Sequence, residues 1–216
     1  MSGELLIFDL DGTLIDSKRD LADSLNATRA WAGLAPLSDE VVSSYVGNGA
    51  PMLIRRAFPG AGEPDLAGYL AHFLDYYREH MLDATILYPG VREALDRLRS
   101  AGVPMAVLTN KPVKFSIGLV DRLGLSCYFF RIYGGNSFEE KKPHPVGIHS
   151  LVEESGADRG HTYMVGDTAV DIRTARNAGV RACGVSWGFR PETFAEVPPD
   201  LIVDDLGTLA DRVLGS

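Results

Sequence analysis

Apolar positions follow two rhythms along this chain. Short apolar runs occur at LLIFDL (5–10), MAVLTN (105–110), RIYGG (131–135), TYMVGD (162–167), RACGVS (181–186) and LIVDD (201–205). Most are near-continuous and end in polar residues or glycine. That is the pattern of parallel strands buried on both faces, with functional groups at their carboxyl ends. Between them the apolar positions recur every three or four residues, in VREALDRLRSAG (91–102), KFSIGLVDRLGL (114–125), PVGIHSLVEESGA (145–157) and TAVDIRTARNAG (168–179). These stretches predict amphipathic helices, and several finish in glycine, as helix C-termini do. The β-α repetition predicts an α/β fold: a doubly wound, Rossmann-like parallel sheet.

One interval breaks this succession. From the end of the first run to Tyr88 no strand pattern is found, and four helical patterns stand in its place: 17–34, 38–47, 50–58 and 63–81. Gly/Pro-containing turns join them. The expectation is a small helical domain over residues 16–84, inserted after the first strand of a core formed by residues 1–15 and 85–216. There is no internal repeat and no low-complexity segment.

Composition narrows the function classes. The chain has 216 residues, 45% of them hydrophobic and 23% charged, with a net charge of −8. A chain of that size buries a sizeable core. The negative charge argues against nucleic acid or an anionic membrane as partner, because no basic field draws phosphate polymers in. Small anionic substrates need only a local positive site and stay open. Cys127 and Cys183 form no CxxC pattern, and the segment MSGELLIFDLDG has neither a basic n-region nor a long apolar h-region. The expectation is therefore a reducing, cytoplasmic setting without a signal peptide or a membrane span.

The chemistry is concentrated where the strands end. The first run closes on Asp9 and Asp11, one residue apart; like charges so close are costly unless a cation compensates. The second run ends in Thr109-Asn110, and another in Gly166-Asp167, with Asp171 one helical turn further on. Lys142 precedes the helix that leads into that strand. Asp9, Asp167 and Asp171 make an acidic set whose hard oxygens suit Mg²⁺. A carboxylate can attack phosphorus to give an aspartyl-phosphate, and a second carboxyl can manage the proton. A hydroxyl, backbone N–H groups and an ammonium stabilise charge on a transferring phosphoryl group. Taken singly, each motif has a plainer reading. Asp-Gly marks turns, Thr-Asn caps helices, and a lone lysine is usually solvated.

The order DLDGT, LTN, KKP, GDTAVD resembles the four motifs of the haloacid dehalogenase superfamily of phosphotransferases, and the helical insertion resembles that superfamily's C1 cap. The resemblance runs from Leu5 to about Asp205. It implies Asp9 as nucleophile and metal ligand. Asp11 becomes the general acid/base and gives its carbonyl to the metal. Thr109 and Asn110 hold the phosphoryl group, Lys142 neutralises it, and Asp167 and Asp171 serve a Mg²⁺ ion. Thr13 shapes the loop beside the nucleophile.

The stretches YVGNGAPMLIRRAF, TNKP and GG…KKPHP are similar to bacterial phosphoglycolate phosphatases. That similarity implies a small phosphorylated metabolite, 2-phosphoglycolate, with backbone N–H groups at Gly47, Asn48 and Gly49 meeting its carboxylate. Asn136 stands where an acidic residue is expected. The alternatives are another small phosphate ester, such as a sugar phosphate or nucleotide, or a phosphomutase similar to β-phosphoglucomutase. That mutase group carries a histidine early in the cap, and Ser17 to Trp31 holds none.

Lys141, Arg55 and Arg56 are read as solvated. Tyr69, Phe73, Tyr76, Tyr77 and the segment Trp187-Gly188-Phe189 are read as packing. The aromatic helix leaves a monomer or a homodimer open.

Overall fold

A computed structural model of the protein describes residues 3–215. Its centre is a six-stranded sheet in which every pairing is parallel. The strands are β1 (Leu5–Phe8), β4 (Met105–Leu108), β5 (Arg131–Tyr133), β6 (Thr162–Gly166), β7 (Arg181–Val185) and β8 (Leu201–Val203). A separate ribbon pairs β2 (Ile15–Asp16) antiparallel to β3 (Ile86–Leu87). In the main sheet the order is β5-β4-β1-β6-β7-β8. The chain moves outward from β1 through β4 to β5, then returns to the other side of β1 at β6. The reversal creates a crevice at the carboxyl end of β1, where open α/β sheets take their ligands.

Strand β1 is fully buried, and its alternating side chains feed two cores. Leu5 and Ile7 pack with Ala106, Met164, Ile148 and Ile172 on one face. Leu6 and Phe8 pack with Val107, Leu95, Leu119 and Val165 on the other. Helices α7 (Val146–Ser155) and α8 (Ala169–Ala178) supply the first face. Helices α5 (Val91–Ser100), α6 (Val113–Arg122) and α9 (Leu206–Leu214) supply the second. The period of two along a strand is what makes one apolar run serve both layers.

Between β2 and β3 stand α1 (Lys18–Trp31), α2 (Asp39–Tyr45), α3 (Ala50–Ala57) and α4 (Glu63–His80). Their apolar faces, Leu21 and Leu25 of α1, Leu53 and Ile54 of α3, and Phe73 and Tyr77 of α4, belong to the same core as Leu6 and Phe8. The insertion thus packs directly over one end of the sheet. Its returning chain is clamped by the buried Asp20 carboxylate. That carboxylate accepts from the N–H groups of Ala84 (2.9 Å) and Thr85 (2.8 Å) and from the Thr85 hydroxyl (2.6 Å).

Several elements differ from the sequence expectation. Each sheet strand ends one to two residues before the predicted limit. The polar residues at 9, 109–110 and 167 lie past the strand ends and lead into loops, with Asp9 and Thr109 each keeping one backbone hydrogen bond to the neighbouring strand. The ribbon at 15–16 and 86–87 lies in an interval predicted to hold no strand, because two-residue strands show no periodicity. Helix α9 was not anticipated, although its first residue follows a capping signal: the Asp205 side chain accepts from Thr208 N–H.

Candidate active site

Asp9 is the first residue past β1, and its N–H still donates to Val165 O on β6 (2.9 Å). Its Oδ1 accepts from Leu10 N–H (2.8 Å) and from the Lys142 ammonium (2.9 Å), and Asp9 lines the pocket. Lys142 is buried between two carboxylates, reaching Asp171 Oδ1 at 2.6 Å as well. Asp171 is locked in turn by its second oxygen, which accepts from Thr168 N–H (3.1 Å) and Oγ1 (2.8 Å) in a reciprocal cap at the start of α8. Asp167 lies on the loop after β6. Phe189 N–H donates to its Oδ2 at 2.8 Å, and the Thr13 hydroxyl approaches its Oδ1 at 3.4 Å.

Asp9, Asp167 and Asp171 each offer a carboxylate oxygen, and these atoms lie within 4.8 Å of one another. All three residues are buried, and among the described residues one ammonium, that of Lys142, pairs with the set, through Asp9 and Asp171. Burial pushes the Asp9 carboxyl up to about 6, against the opposing pull of Lys142. Burial likewise lifts Asp167 well above the usual carboxylate range, and the charges of Asp171 and Asp9 add to it. Burial works against the Lys142 charge too, yet Asp171 and Asp9 hold its pKa above that of a free lysine. A clustered set of hard oxygens with excess negative charge fits a divalent cation.

Two glycines make room for this set. A Cβ on Gly12 (φ +81°) would sit 2.3 Å from Asp167 Oδ2, and one on Gly188 (φ +103°) would sit 2.6 Å from Asp167 Cβ. Both have the positive φ that L side chains rarely adopt.

Asp11 belongs to a different group. Its side chain turns from the acidic cluster and accepts from Ser17 Oγ at 2.5 Å and from the Lys111 ammonium, at 3.0 Å to each oxygen. Lys111 is itself buried and reaches the Tyr77 hydroxyl on α4 at 2.7 Å, with its nitrogen 4.5 Å from the Tyr77 ring centroid. Burial opposes the charge on Lys111, but Asp11 and then Tyr77 outweigh it and hold its pKa above the ordinary lysine value. Burial pushes the Tyr77 phenol up to about 12 despite the ammonium beside it.

Thr109 and Asn110 line the same pocket. The Thr109 hydroxyl accepts from Lys111 N–H (3.2 Å). The Asn110 amide donates to Lys142 O (3.0 Å) and across to Gly47 O of the insertion (2.9 Å), while its Oδ1 is buried with no partner. Gly47 and Gly49 line the pocket. The Asn48 side chain is held by Arg56 (2.9 Å), and the Asn48 carbonyl accepts from Lys141 (2.8 Å).

The structure therefore brings Asp9, Asp11, Thr13, Thr109, Asn110, Lys142, Asp167 and Asp171 to one crevice, with the glycine loop at its rim. It also adds residues that sequence reasoning left out. Lys111 and Tyr77 meet Asp11; the only sequence signals were a lysine on the Thr109 loop and a tyrosine in an aromatic helix. Lys141 and Arg56, expected in solvent, hold the glycine loop. The segment read as packing carries the Phe189 N–H to Asp167, and Trp187 Nε1 donates to Thr13 O (3.2 Å). Asn136, where an acidic side chain was expected, accepts from Val113 N–H at the start of α6 (2.9 Å).

Fold and site together define an α/β enzyme built around buried carboxylates at a sheet switch point, covered by a helical insertion. The family model described as haloacid dehalogenase-like hydrolase matches residues 6–185, and the chain belongs to that family. It is 41% identical over 209 residues to a phosphoglycolate phosphatase of Agrobacterium fabrum, covering 95% of this chain and 90% of the relative. It is 40% identical to a phosphoglycolate phosphatase of Vibrio vulnificus strain CMCP6, covering 99% and 97%. Among solved structures, a predicted phosphoglycolate phosphatase from Haemophilus somnus 129pt superposes with a TM-score of 0.91 at 33% identity, covering 99% of this chain and 98% of the other.

Proposed function

We propose that this protein is a Mg²⁺-dependent phosphatase that hydrolyses 2-phosphoglycolate through an aspartyl-phosphate on Asp9. The observation that carries the reading is Asp9 itself. It sits at the carboxyl end of the central strand and lines the pocket, with Oδ1 engaged by Lys142 and Leu10, which leaves Oδ2 as the attacking oxygen in this reading. Oδ2 attacks phosphorus, and the bond to the ester oxygen breaks. Asp11 donates a proton to the departing glycolate oxygen. Asp11 then takes a proton from water as the water oxygen attacks phosphorus, which frees Asp9 and inorganic phosphate. Thr109 and Asn110 hold the phosphoryl group from the loop after β4, and Lys142, paired with Asp9 and Asp171, offsets its charge from behind Asp9.

In this reading Asp9, Asp167, Asp171 and the Asp11 carbonyl hold Mg²⁺. When bound, it neutralises the carboxylates and polarises a phosphoryl oxygen. Thr13 braces Asp167, and Gly47, Asn48 and Gly49 close the rim as part of a cap over residues 16–84 that shuts before chemistry and opens for release. Support for a short substrate comes from the walls beyond Asp11, where Leu21, Leu53, Phe73 and Phe115 offer no partners for sugar hydroxyls. Two unpaired thiols, Cys183 buried and Cys127 exposed, support a cytoplasmic setting. No helix among the described residues is long and apolar enough to cross a membrane.

The test is phosphate release from a panel of small phosphate esters with Mg²⁺, beside Asp9→Asn. A clear preference for 2-phosphoglycolate, abolished in the variant, is expected. Equal turnover of sugar phosphates or nucleotides would overturn the substrate. No release from any ester by the folded protein would overturn the activity.

A further inference from the structure

We propose that Lys111 and Tyr77 form the subsite that reads the substrate's carboxylate, and so set specificity for an anionic leaving group. The inference rests on the substrate reading above and extends it to particular atoms. Among the described residues that line the pocket, Lys111 is the one cation; Lys142 does not line it and contacts Asp9 and Asp171 instead. Lys111 also stands on the correct side. Asp11 has to reach the ester oxygen that departs, and the Lys111 nitrogen is 3.0 Å from both Asp11 oxygens. In 2-phosphoglycolate the carboxylate carbon is two bonds from that ester oxygen, so an anion on the leaving group arrives next to Lys111.

Tyr77 completes the pair. Its hydroxyl accepts from Lys111, which leaves its own proton to donate. Its raised pKa, the result of burial, keeps that proton in place. Lys111 directs its three donors at Asp11 and Tyr77. When Asp11 carries the proton it is to donate, a donor is released, and ammonium and phenol side by side match the two oxygens of a carboxylate. The remaining walls of this part of the pocket are the apolar side chains of Leu21, Leu53, Phe73 and Phe115, where an unpaired carboxylate would be costly. The two donors come from different parts of the chain, Lys111 from the loop after β4 and Tyr77 from α4. The carboxylate therefore binds only when the insertion lies over the sheet as it does here. The glycine loop is the competing reader through its N–H groups. Its carbonyls at Gly47 and Asn48 are held by Asn110 and Lys141, and a specificity ratio unchanged by Lys111→Met would assign the carboxylate to that loop instead.

The experiment compares kcat and KM for 2-phosphoglycolate and for ethyl phosphate, its analogue without the carboxylate, in wild type, Lys111→Met, Lys111→Arg and Tyr77→Phe. The ratio of kcat/KM between the two esters is expected to fall about 30-fold or more in Lys111→Met, mainly through KM for 2-phosphoglycolate, since a buried charge partner is lost. Lys111→Arg should restore part of it. Tyr77→Phe keeps the ring and should lower the ratio about fivefold through one lost hydrogen bond; it carries the test if Lys111→Met fails to fold. A ratio that stays constant while both esters slow together would overturn the proposal, leaving Lys111 as a support for Asp11 alone. A wild-type enzyme with no preference for 2-phosphoglycolate over other esters would overturn the substrate reading and this one with it.

Discussion

In the proposed mechanism Asp9 has to be ionised to attack, yet it sits where burial favours the protonated acid. Its native value of about 6 lies above the 3.8 of an unperturbed aspartate. Between those values the folded protein keeps a proton that the unfolded chain has released. The linked stability is therefore fully present below about pH 4 and is lost as pH rises through about 6. Asp9→Asn removes this dependence and leaves Lys142 paired with Asp171. In chelator at pH 7 the variant should be more stable than wild type, by up to about 3 kcal/mol, and the advantage should vanish near pH 4. Urea midpoints at the two pH values measure it, and a variant less stable at pH 7 would contradict the account. The residue scale is also where the sequence was least uniform as a guide. Asp9, Asp167 and Asp171 were legible because each stands at or near a strand end, and Lys142 through its place in the KKP motif before α7. Lys111 and Tyr77 were not, because their meeting depends on how α4 lies across the sheet, a tertiary fact that no local pattern encodes.

At the scale of elements, the long apolar periods carried the prediction and the short contacts escaped it. Among the described residues, the six sheet strands and eight of the nine α-helices are visible as runs and periods, apart from ragged ends. The β2–β3 ribbon is not, since two residues cannot display alternation. What fixes this connection is chemical rather than periodic: Asp20 on α1 takes three hydrogen bonds from Ala84 and Thr85 on the returning chain. Asp20→Ala leaves two backbone N–H groups without partners, and is expected to cost about 2–4 kcal/mol, read as a lower denaturation midpoint.

The rim of the site has a similar tie. Arg190, Asn110 and Lys141 donate to the carbonyls of Ser44, Gly47 and Asn48, at and just beyond the C-terminal end of α2, where cations are favoured. Lys141 is exposed and lies outside the chemistry. Lys141→Met should therefore leave the melting temperature alone and raise KM by no more than about fivefold. A change in kcat of a hundredfold would mean that Lys141 takes part in the reaction itself.

The whole molecule closes two bodies of structure over a charge imbalance. The insertion and the sheet share one continuous apolar core, so the insertion is held over the sheet by packing as well as by hydrogen bonds. In the crevice between them lie Asp9, Asp167 and Asp171, and among the described residues one ammonium, that of Lys142, pairs with the set. Folding gathers these carboxylates, and the unfolded chain has no equivalent site. A divalent cation that binds only the folded state must then stabilise the entire fold by mass action, by about 2.7 kcal/mol at a concentration a hundred times its Kd. For a domain of this size that corresponds to a rise of roughly 5–10 °C in melting temperature. The expected result is that Mg²⁺ raises the melting temperature of wild type by this amount and that of Asp167→Asn by much less. Ionic strength supplies the control, since the net charge of −8 is also eased by salt. Sodium chloride at matched ionic strength should give a small shift that is equal in both proteins. If the monovalent salt reproduced the whole effect, the carboxylates would be relieved by screening alone, and the assignment of a bound cation would fall.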